Sequence, residues 1–323
     1  MSRKALIIGA TGQDGAYLSH LLLDQGYVVH GTSRDAELSR AESLVALGIR
    51  DRVTLHSVST VDFRSVIQAV QQIAPDEIYN LSGQSSVGLS FSQPAETIES
   101  HAIATLNLLE ALRIVAPGIR LYNAGSSECF GDTGGVPANE MTAFRPRSPY
   151  GVAKTAAVQL VANYRESYGL FVCSGILFNH ESPLRQPRFV TRKITATSAR
   201  IAKGSGERLA LGNISISRDW GWAPDAVRAM YLMMQQDRAE DYVIATGKSH
   251  SLEEFIAQAF VASGLDWRDH VDFDPSLKRP SEIDHSLGDA SKARELLGWE
   301  PTVDFANIVD RMVRAEQKEA GTT

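Results

Sequence analysis

Tyr150 and Lys154 stand four residues apart, directly after Pro149, in a stretch with helical spacing of its apolar positions. Residues four apart share one face of a helix. A phenol with a pKa of about 10 is a poor base at neutral pH. An ammonium group beside it favours the phenolate and makes the pair a usable acid–base. Alone, such a pair is common and carries little meaning. About 140 residues upstream, however, the chain reads Gly9-Ala10-Thr11-Gly12-Gln13-Asp14-Gly15 after a short apolar run. Glycines placed so permit a tight turn, close backbone approach to a pyrophosphate, and close helix–strand packing. The helix that follows presents free N–H groups and its positive dipole end to the anion. The spacing is GxxGxxG rather than GxGxxG, so its position between strand and helix carries the weight. Together the two motifs point to a nicotinamide dinucleotide, whose positive ring would further favour the Tyr150 phenolate.

The second apolar run ends Thr32-Ser33-Arg34-Asp35. An acidic residue here would hold the ribose 2′-OH of NAD, whereas an arginine accommodates the 2′-phosphate of NADP. Arg34 comes first and favours NADP; Asp35 beside it keeps NAD as the alternative.

These residues need a scaffold to bring them together. Lys4–Ile8, Tyr27–Gly31, Arg52–His56, Glu77–Leu81, Arg120–Ala124 and Phe171–Phe178 read as strands. Tyr17–Gln25, Phe63–Ile73, Ile98–Val115 and Tyr150–Tyr168 have the apolar spacing of helices, the first beginning near Ala16. Such alternation predicts an α/β fold, a Rossmann-type doubly wound parallel sheet with helices on both faces. Ligands of such sheets lie beyond the carboxyl ends of the strands. Residues 1–178 form the expected dinucleotide-binding part. Residues 179–323 form a smaller, mainly substrate-binding part, with a basic helix from near Val190 and helices over Ser251–Ser263 and Lys292–Leu297. Tyr242–Ala245 reads as one more strand of the main sheet, so the two parts are expected to interleave.

Composition narrows the class. At 323 residues, 43% hydrophobic and 22% charged, the chain suits a globular enzyme. A net charge of -6 gives no global field towards nucleic acid or an anionic membrane. The two cysteines, Cys129 and Cys173, form no CxxC or Cys/His cluster, so neither a disulfide framework nor a metal site is expected and a cytoplasmic setting fits. The N-terminal apolar run is too short for a signal peptide, and no stretch approaches the ~20 apolar residues of a membrane span.

Tyr150-x-x-x-Lys154 with Gly9-x-x-Gly12-x-x-Gly15 resembles the extended short-chain dehydrogenase/reductases, whose third catalytic position, a Ser or Thr after a strand, is matched by Ser126 in Asn123-Ala124-Gly125-Ser126-Ser127-Glu128. Longer stretches are similar to the GDP-mannose 4,6-dehydratases. Among them are Gly12-Gln13-Asp14-Gly15-Ala16-Tyr17-Leu18, Arg145-Pro146-Arg147-Ser148-Pro149-Tyr150-Gly151-Val152-Ala153-Lys154 and Gly175-Ile176-Leu177-Phe178-Asn179-His180-Glu181-Ser182-Pro183. Phe189-Val190-Thr191-Arg192-Lys193, Arg218-Asp219-Trp220-Gly221 and Leu297-Gly298-Trp299 extend the similarity over nearly the whole chain.

The resemblance implies a redox-neutral reaction on GDP-mannose. Tyr150 would take the 4-hydroxyl proton as hydride leaves C4. The resulting ketone acidifies C5–H, a base removes that proton as the 6-hydroxyl departs as water, and hydride returns at C6. Glu128 matches the base at C5, and with Ser126, Tyr150 and Lys154 it completes the implied catalytic set. Implied cofactor contacts are Gly9, Thr11, Gly12, Gln13, Asp14, Gly15, Arg34, Leu81, Ser85, Tyr150, Lys154, His180 and Arg185. Implied sugar-nucleotide contacts are Ser85, Ser127, Glu128, Asn179, Val190, Lys193, Gly212, Arg218, Arg279 and Glu282. The resemblance also implies a homodimer or homotetramer. Two departures stand out: the family has paired arginines where only Arg34 occurs, and an aspartate near the adenine where this chain has Val58-Ser59-Thr60. A 4-epimerase or 4-reductase would share Tyr150 and Lys154 but needs no base at C5. A redox sensor could dispense with Ser126, Tyr150 and Lys154 together. A related GDP-sugar remains an alternative substrate.

Overall fold

A computed structural model describes residues 2–277 and 279–319. Its centre is a seven-stranded sheet. Six strands are β1 (Lys4–Ile8), β2 (Val28–Ser33), β3 (Val53–Ser57), β4 (Glu77–Asn80), β5 (Arg120–Ala124) and β6 (Val172–Leu177), and the seventh is Tyr242–Ile244. From one edge the order runs Tyr242–Ile244, β6, β5, β4, β1, β2, β3, with every pairing parallel. The chain starts at β1 and winds outwards in both directions, so the crossover lies between β1 and β4, where a crevice opens at the carboxyl ends.

Alternation along the strands builds two cores. In β1, Ala5 and Ile7 face one side and pack with Leu18 and Leu22 of the Gln13–Asp24 helix and with Met230 and Met233 of the Ala223–Met234 helix. Leu6 and Ile8 face the other side and pack with Val66 and Val70 of the Phe63–Ile73 helix and Leu108 and Leu112 of the Ala104–Val115 helix. Both faces are therefore apolar, as a fully covered parallel sheet requires. Each fully buried leucine contributes roughly 1.5–3 kcal/mol over an exposed one. A third core, around Trp220, Phe255, Phe260, Ile308 and Met312, belongs to the later half of the chain.

Several boundaries differ from the sequence expectation, for identifiable reasons. The first helix starts at Gln13, not near Ala16, because Gly12 acts as its N-cap and the polar Gln13-Asp14 pair forms its first turn. The helix expected over Ile98–Val115 begins at Pro94, passes through a π turn over Glu99–Ile103, and resumes at Ala104–Val115. Proline suits a first helical turn because its missing N–H would be unpaired there. Ser251 is the N-cap of the Leu252–Ala262 helix: its Oγ accepts from Glu254 N–H, and its own N–H donates to Glu254. The 179–323 stretch runs beyond the described residues at 320–323. Within it, the Tyr242–Ile244 strand pairs with β6, so the late chain returns to the first sheet.

Candidate active site

The carboxyl ends of the strands are in register. Ile8 lies opposite Thr32 and Asn80, Asn80 opposite Asn123, and Ala124 opposite Gly175. The segments leaving β1, β4 and β5 therefore emerge side by side, and two cavities open above them.

The first cavity, of about 830 Å³, is lined by Gly9, Thr11, Gly12, Gln13, Asp14, Gly15, Arg34, Leu81, Ser85 and Arg185. A Cβ on Gly15 would stand 2.2 Å from the carbonyl oxygen of Gly9, so the turn closes only with glycine there. Gly12 lacks a side chain to cap the helix, which leaves first-turn N–H groups for a bound anion. A Cβ on Gly12 would meet only Gly9 O, at 3.4 Å, so the backbone is open to close approach at that point. These features fit a dinucleotide pyrophosphate. Val58, Ser59 and Thr60 line the same cavity beyond Arg34.

The second cavity, of about 490 Å³, is lined by all four expected catalytic residues and by His180. Ser85, Ser127, Asn179, Val190, Lys193, Gly212, Arg218, Arg279 and Glu282 also line it. Asp14, Leu81, Ser85 and Arg185 border both cavities, which thus meet along one seam.

At that seam β5 ends and Gly125 passes so close to β6 that a Cβ would lie 3.0 Å from Gly175 O. Ser126 then caps a short 3-10 turn, its Oγ accepting from Glu128 N–H at 3.3 Å. The Pro149–Tyr168 helix is capped by Ser148, whose Oγ accepts from Gly151 N–H at 3.0 Å and donates to Glu128 Oε2 at 3.4 Å. Gly151 allows the two elements to touch: a Cβ there would sit 2.7 Å from Glu128 O. Lys154 Nζ donates to Ala124 O at 2.7 Å and lies 5.8 Å from the centre of the Tyr150 ring.

Electrostatics distinguish the roles open to these groups. Burial pushes the Tyr150 phenol up, while its hydrogen bond with Ser126 pulls the other way. Burial draws Lys154 down to about 8, so it stays mostly an ammonium at neutral pH while giving up its proton more easily than an exposed lysine. Burial also raises Glu128, opposed by the charges of Arg218 and Arg279. A carboxylate so raised is a better base than one in water. Glu282 accepts from Arg218 Nη2 at 3.3 Å and Arg279 Nη1 at 3.4 Å, which holds two guanidinium groups at one wall. Lys193 Nζ donates to Ala210 O at 2.7 Å.

His180 is fixed differently. Its Nδ1 faces Phe178 O at 2.7 Å and its Nε2 faces Asp14 Oδ2 at 2.9 Å. Both partners are acceptors, so both ring nitrogens carry hydrogen and the ring is an imidazolium. Burial opposes that charge, but Asp14 outweighs it and raises the His180 pKa. Burial likewise opposes the Asp14 carboxylate, and His180 outweighs it and lowers that pKa.

The structure adds residues that sequence reading missed. His101 and Ser148 line or support the second cavity, and Arg188 and Phe189 border both. Ser148 before Pro149 is a legible N-cap signal. Nothing in the sequence marks His101 or Arg188. Among the described residues, no three metal-ligating side chains come together, and no helix is long and apolar enough to cross a membrane.

Residues 6–312 match the family described as GDP-mannose 4,6 dehydratase. The chain is 47% identical over 319 residues to GDP-mannose 4,6 dehydratase 1 of Arabidopsis thaliana, across 96% of this chain and 88% of that protein. It is 41% identical over 337 residues to the GDP-mannose 4,6 dehydratase of Homo sapiens, across 97% of this chain and 91% of that one. Among solved structures, the UDP-glucose 4-epimerase of Thermus thermophilus in complex with NAD superposes with a TM-score of 0.85 at 25% identity, covering 97% of this chain and 99% of its own.

Proposed function

The chain belongs to the GDP-mannose 4,6 dehydratase family, and we propose that it converts GDP-mannose to GDP-4-keto-6-deoxymannose with a recycled NADP. The observation that carries this reading is Glu128: a half-buried carboxylate lining the same cavity as Ser126, Tyr150 and Lys154. An epimerase or reductase has no use for a base at C5.

A nicotinamide dinucleotide held by the turn at 9–15 and Arg34 would supply a hydride acceptor for C4 and a donor for C6, with no net redox change. Tyr150 takes the 4-hydroxyl proton, with Ser126 hydrogen-bonded to the phenol and the Lys154 ammonium favouring the phenolate. Once C4 is a ketone, the C5 proton is acidic, and Glu128 removes it as the 6-hydroxyl leaves as water. A second base is required because Tyr150 is engaged at O4. Arg218 and Arg279, held together at one wall by the shared carboxylate of Glu282, suit a diphosphate. Lys193 adds positive charge to the same cavity, which Asn179, Val190, Ser127, Gly212 and Ser85 complete as the sugar-nucleotide wall.

NADP is favoured over NAD because Arg34 lines the dinucleotide cavity, whereas Asp35 turns to its own loop and accepts from the N–H groups of Glu37 and Leu38 at 3.0 Å each. His180 and Arg185, each paired with a carboxylate (Asp14 and Glu181), would border the nicotinamide half. Ile103, Val152 and Tyr168 are large apolar side chains left exposed on the Glu99–Ile103 turn and the Pro149–Tyr168 helix, which supports at least a homodimer through this pair of elements. Two buried free thiols fit the cytoplasm.

Glu128→Gln tests the reading, since it keeps the shape of the side chain and removes its basicity. GDP-mannose still binds and some reduced cofactor accumulates, while dehydration falls at least ~100-fold, the lower end of general-base contributions. Dehydration near the wild-type rate would remove Glu128 from the mechanism.

A further inference from the structure

We infer that His101 is a positioning residue, which orients the Tyr150 ring on one side and holds the cofactor-lining Gly83–Gln84 turn on the other. The inference rests on Tyr150 being the acid–base of the proposed reaction.

His101 is only 4% exposed and sits in the π turn between the Pro94–Ile98 and Ala104–Val115 helices. π turns inside helices are frequent at functional sites, because the extra residue redirects a side chain. Here the redirected imidazole enters the cavity wall. Its ring stands at 87° to the Tyr150 ring with centroids 5.2 Å apart, a geometry that aromatic pairs favour. Its Nε2 lies 2.8 Å from Gln84 O. A carbonyl only accepts, so Nε2 carries the proton and Nδ1 does not. Burial, and then the Lys154 charge, hold the pKa down to about 3, so the ring stays neutral where enzymes work. A neutral ring is required here: an imidazolium beside Lys154 would add an unpaired charge to the site.

The turn is shaped to receive this ring. Gly83 has φ +118, and a Cβ there would stand 2.2 Å from His101 Cε1 and 2.4 Å from Nδ1. Gly83 lines both cavities, as do Leu81 and Ser85 on either side of it. One side chain therefore bridges the phenol and the wall shared by the dinucleotide and the sugar nucleotide. It has no titration of its own to contribute. Its function is to hold the two sides in register.

Two substitutions separate the two contacts. His101→Phe keeps a ring against Tyr150 and leaves Gln84 O without its donor. His101→Gln keeps a donor at the Nε2 position and removes the ring. With His101→Gln, kcat falls ~10- to 100-fold, because ångström-scale misplacement of a catalytic group costs up to ~10²-fold. KM for GDP-mannose and NADP affinity stay within about twofold, taking twofold as the noise of a contact left intact. With His101→Phe, kcat stays within about fivefold of wild type while NADP binds ~3- to 10-fold more weakly, as loss of one buried hydrogen bond implies. The measurements are steady-state kinetics on GDP-mannose and NADP titration by fluorescence, each below the variant's own melting temperature. Either variant alone decides if the other does not fold. Equal loss of kcat and NADP affinity in a folded variant overturns the inference, as does wild-type behaviour in both. Wild-type protein is assayed alongside: if it leaves GDP-mannose unchanged, the functional reading itself fails, and that outcome is distinct from wild-type turnover with unaltered variants.

Discussion

Asp14→Asn removes the carboxylate that makes His180 an imidazolium, and its cost is calculable from the structure. The two side chains are 23% and 14% exposed and 2.9 Å apart. A hydrogen bond to a charged group is worth about 1.5–3 kcal/mol. Breaking a fully buried pair costs more, about 3–5 kcal/mol, but the residual exposure here argues for the lower range. For 323 residues, an unfolding entropy of about 2.1 cal/mol/K per residue gives roughly 0.7 kcal/mol/K, so the expected loss lowers Tm by about 2–4 °C. The pH dependence is more diagnostic. His180 has a raised folded pKa, so its contribution is complete below its ordinary 6.5 and is lost as pH rises through the folded value. Asp14 has a lowered folded pKa, so its contribution is complete above its ordinary 3.8 and is lost as pH falls through the folded value. The deficit of the variant should therefore be greatest between about pH 4 and 6.5 and shrink on both sides. Thermal melts of both proteins from about pH 3.5 to about pH 9, reaching roughly 2.5 units above the ordinary His180 value, measure it. A deficit constant over that range would refute the assignment of opposite charges to this pair.

Two further outcomes follow from the same geometry. Arg34→Ala should weaken NADP by roughly 10- to 150-fold, the equivalent of about 1.5–3 kcal/mol, and leave NAD nearly unchanged; equal loss for both cofactors in a titration would rule out a 2′-phosphate contact. Light scattering should give at least twice the 35.2 kDa chain mass at micromolar concentration, and a single-chain mass would exclude the homodimer.

Much of the sheet was legible because its strands are short apolar runs ending at glycines or polar turns. β1 and β5 keep the boundaries read from sequence, and the other main strands shift by a residue or two. Helix starts were harder. Gln13 and Asp14 look like loop residues, yet they form a first turn whose side chains are spent on Ser182 and His180. Strands of two or three residues, such as Leu209–Leu211, Ser217–Arg218 and Val271–Phe273, are too short to show a period. The expected site residues all line the two cavities; motifs at strand ends carry most of them there, while Val190 and Lys193 arrive on a helix and Arg279 and Glu282 on a connecting loop. Residues whose place depends on contacts across the fold stayed hidden. His101 is one histidine on a helical stretch until the π turn brings it against Tyr150. Ser148 acts through Glu128, a partner twenty residues away in sequence.

One reaction in D₂O tests the redox-neutral dehydration of GDP-mannose. Protein carrying NADP is incubated with GDP-mannose without added reductant, and the product is followed by NMR while nicotinamide absorbance is recorded. The expected product is a 4-keto-6-deoxy sugar nucleotide with deuterium at C5, because the proton removed there is replaced from solvent, formed with no net change in NADP(H). Stoichiometric cofactor consumption, or a product that keeps its 6-hydroxyl and its original hydrogen at C5, would contradict it.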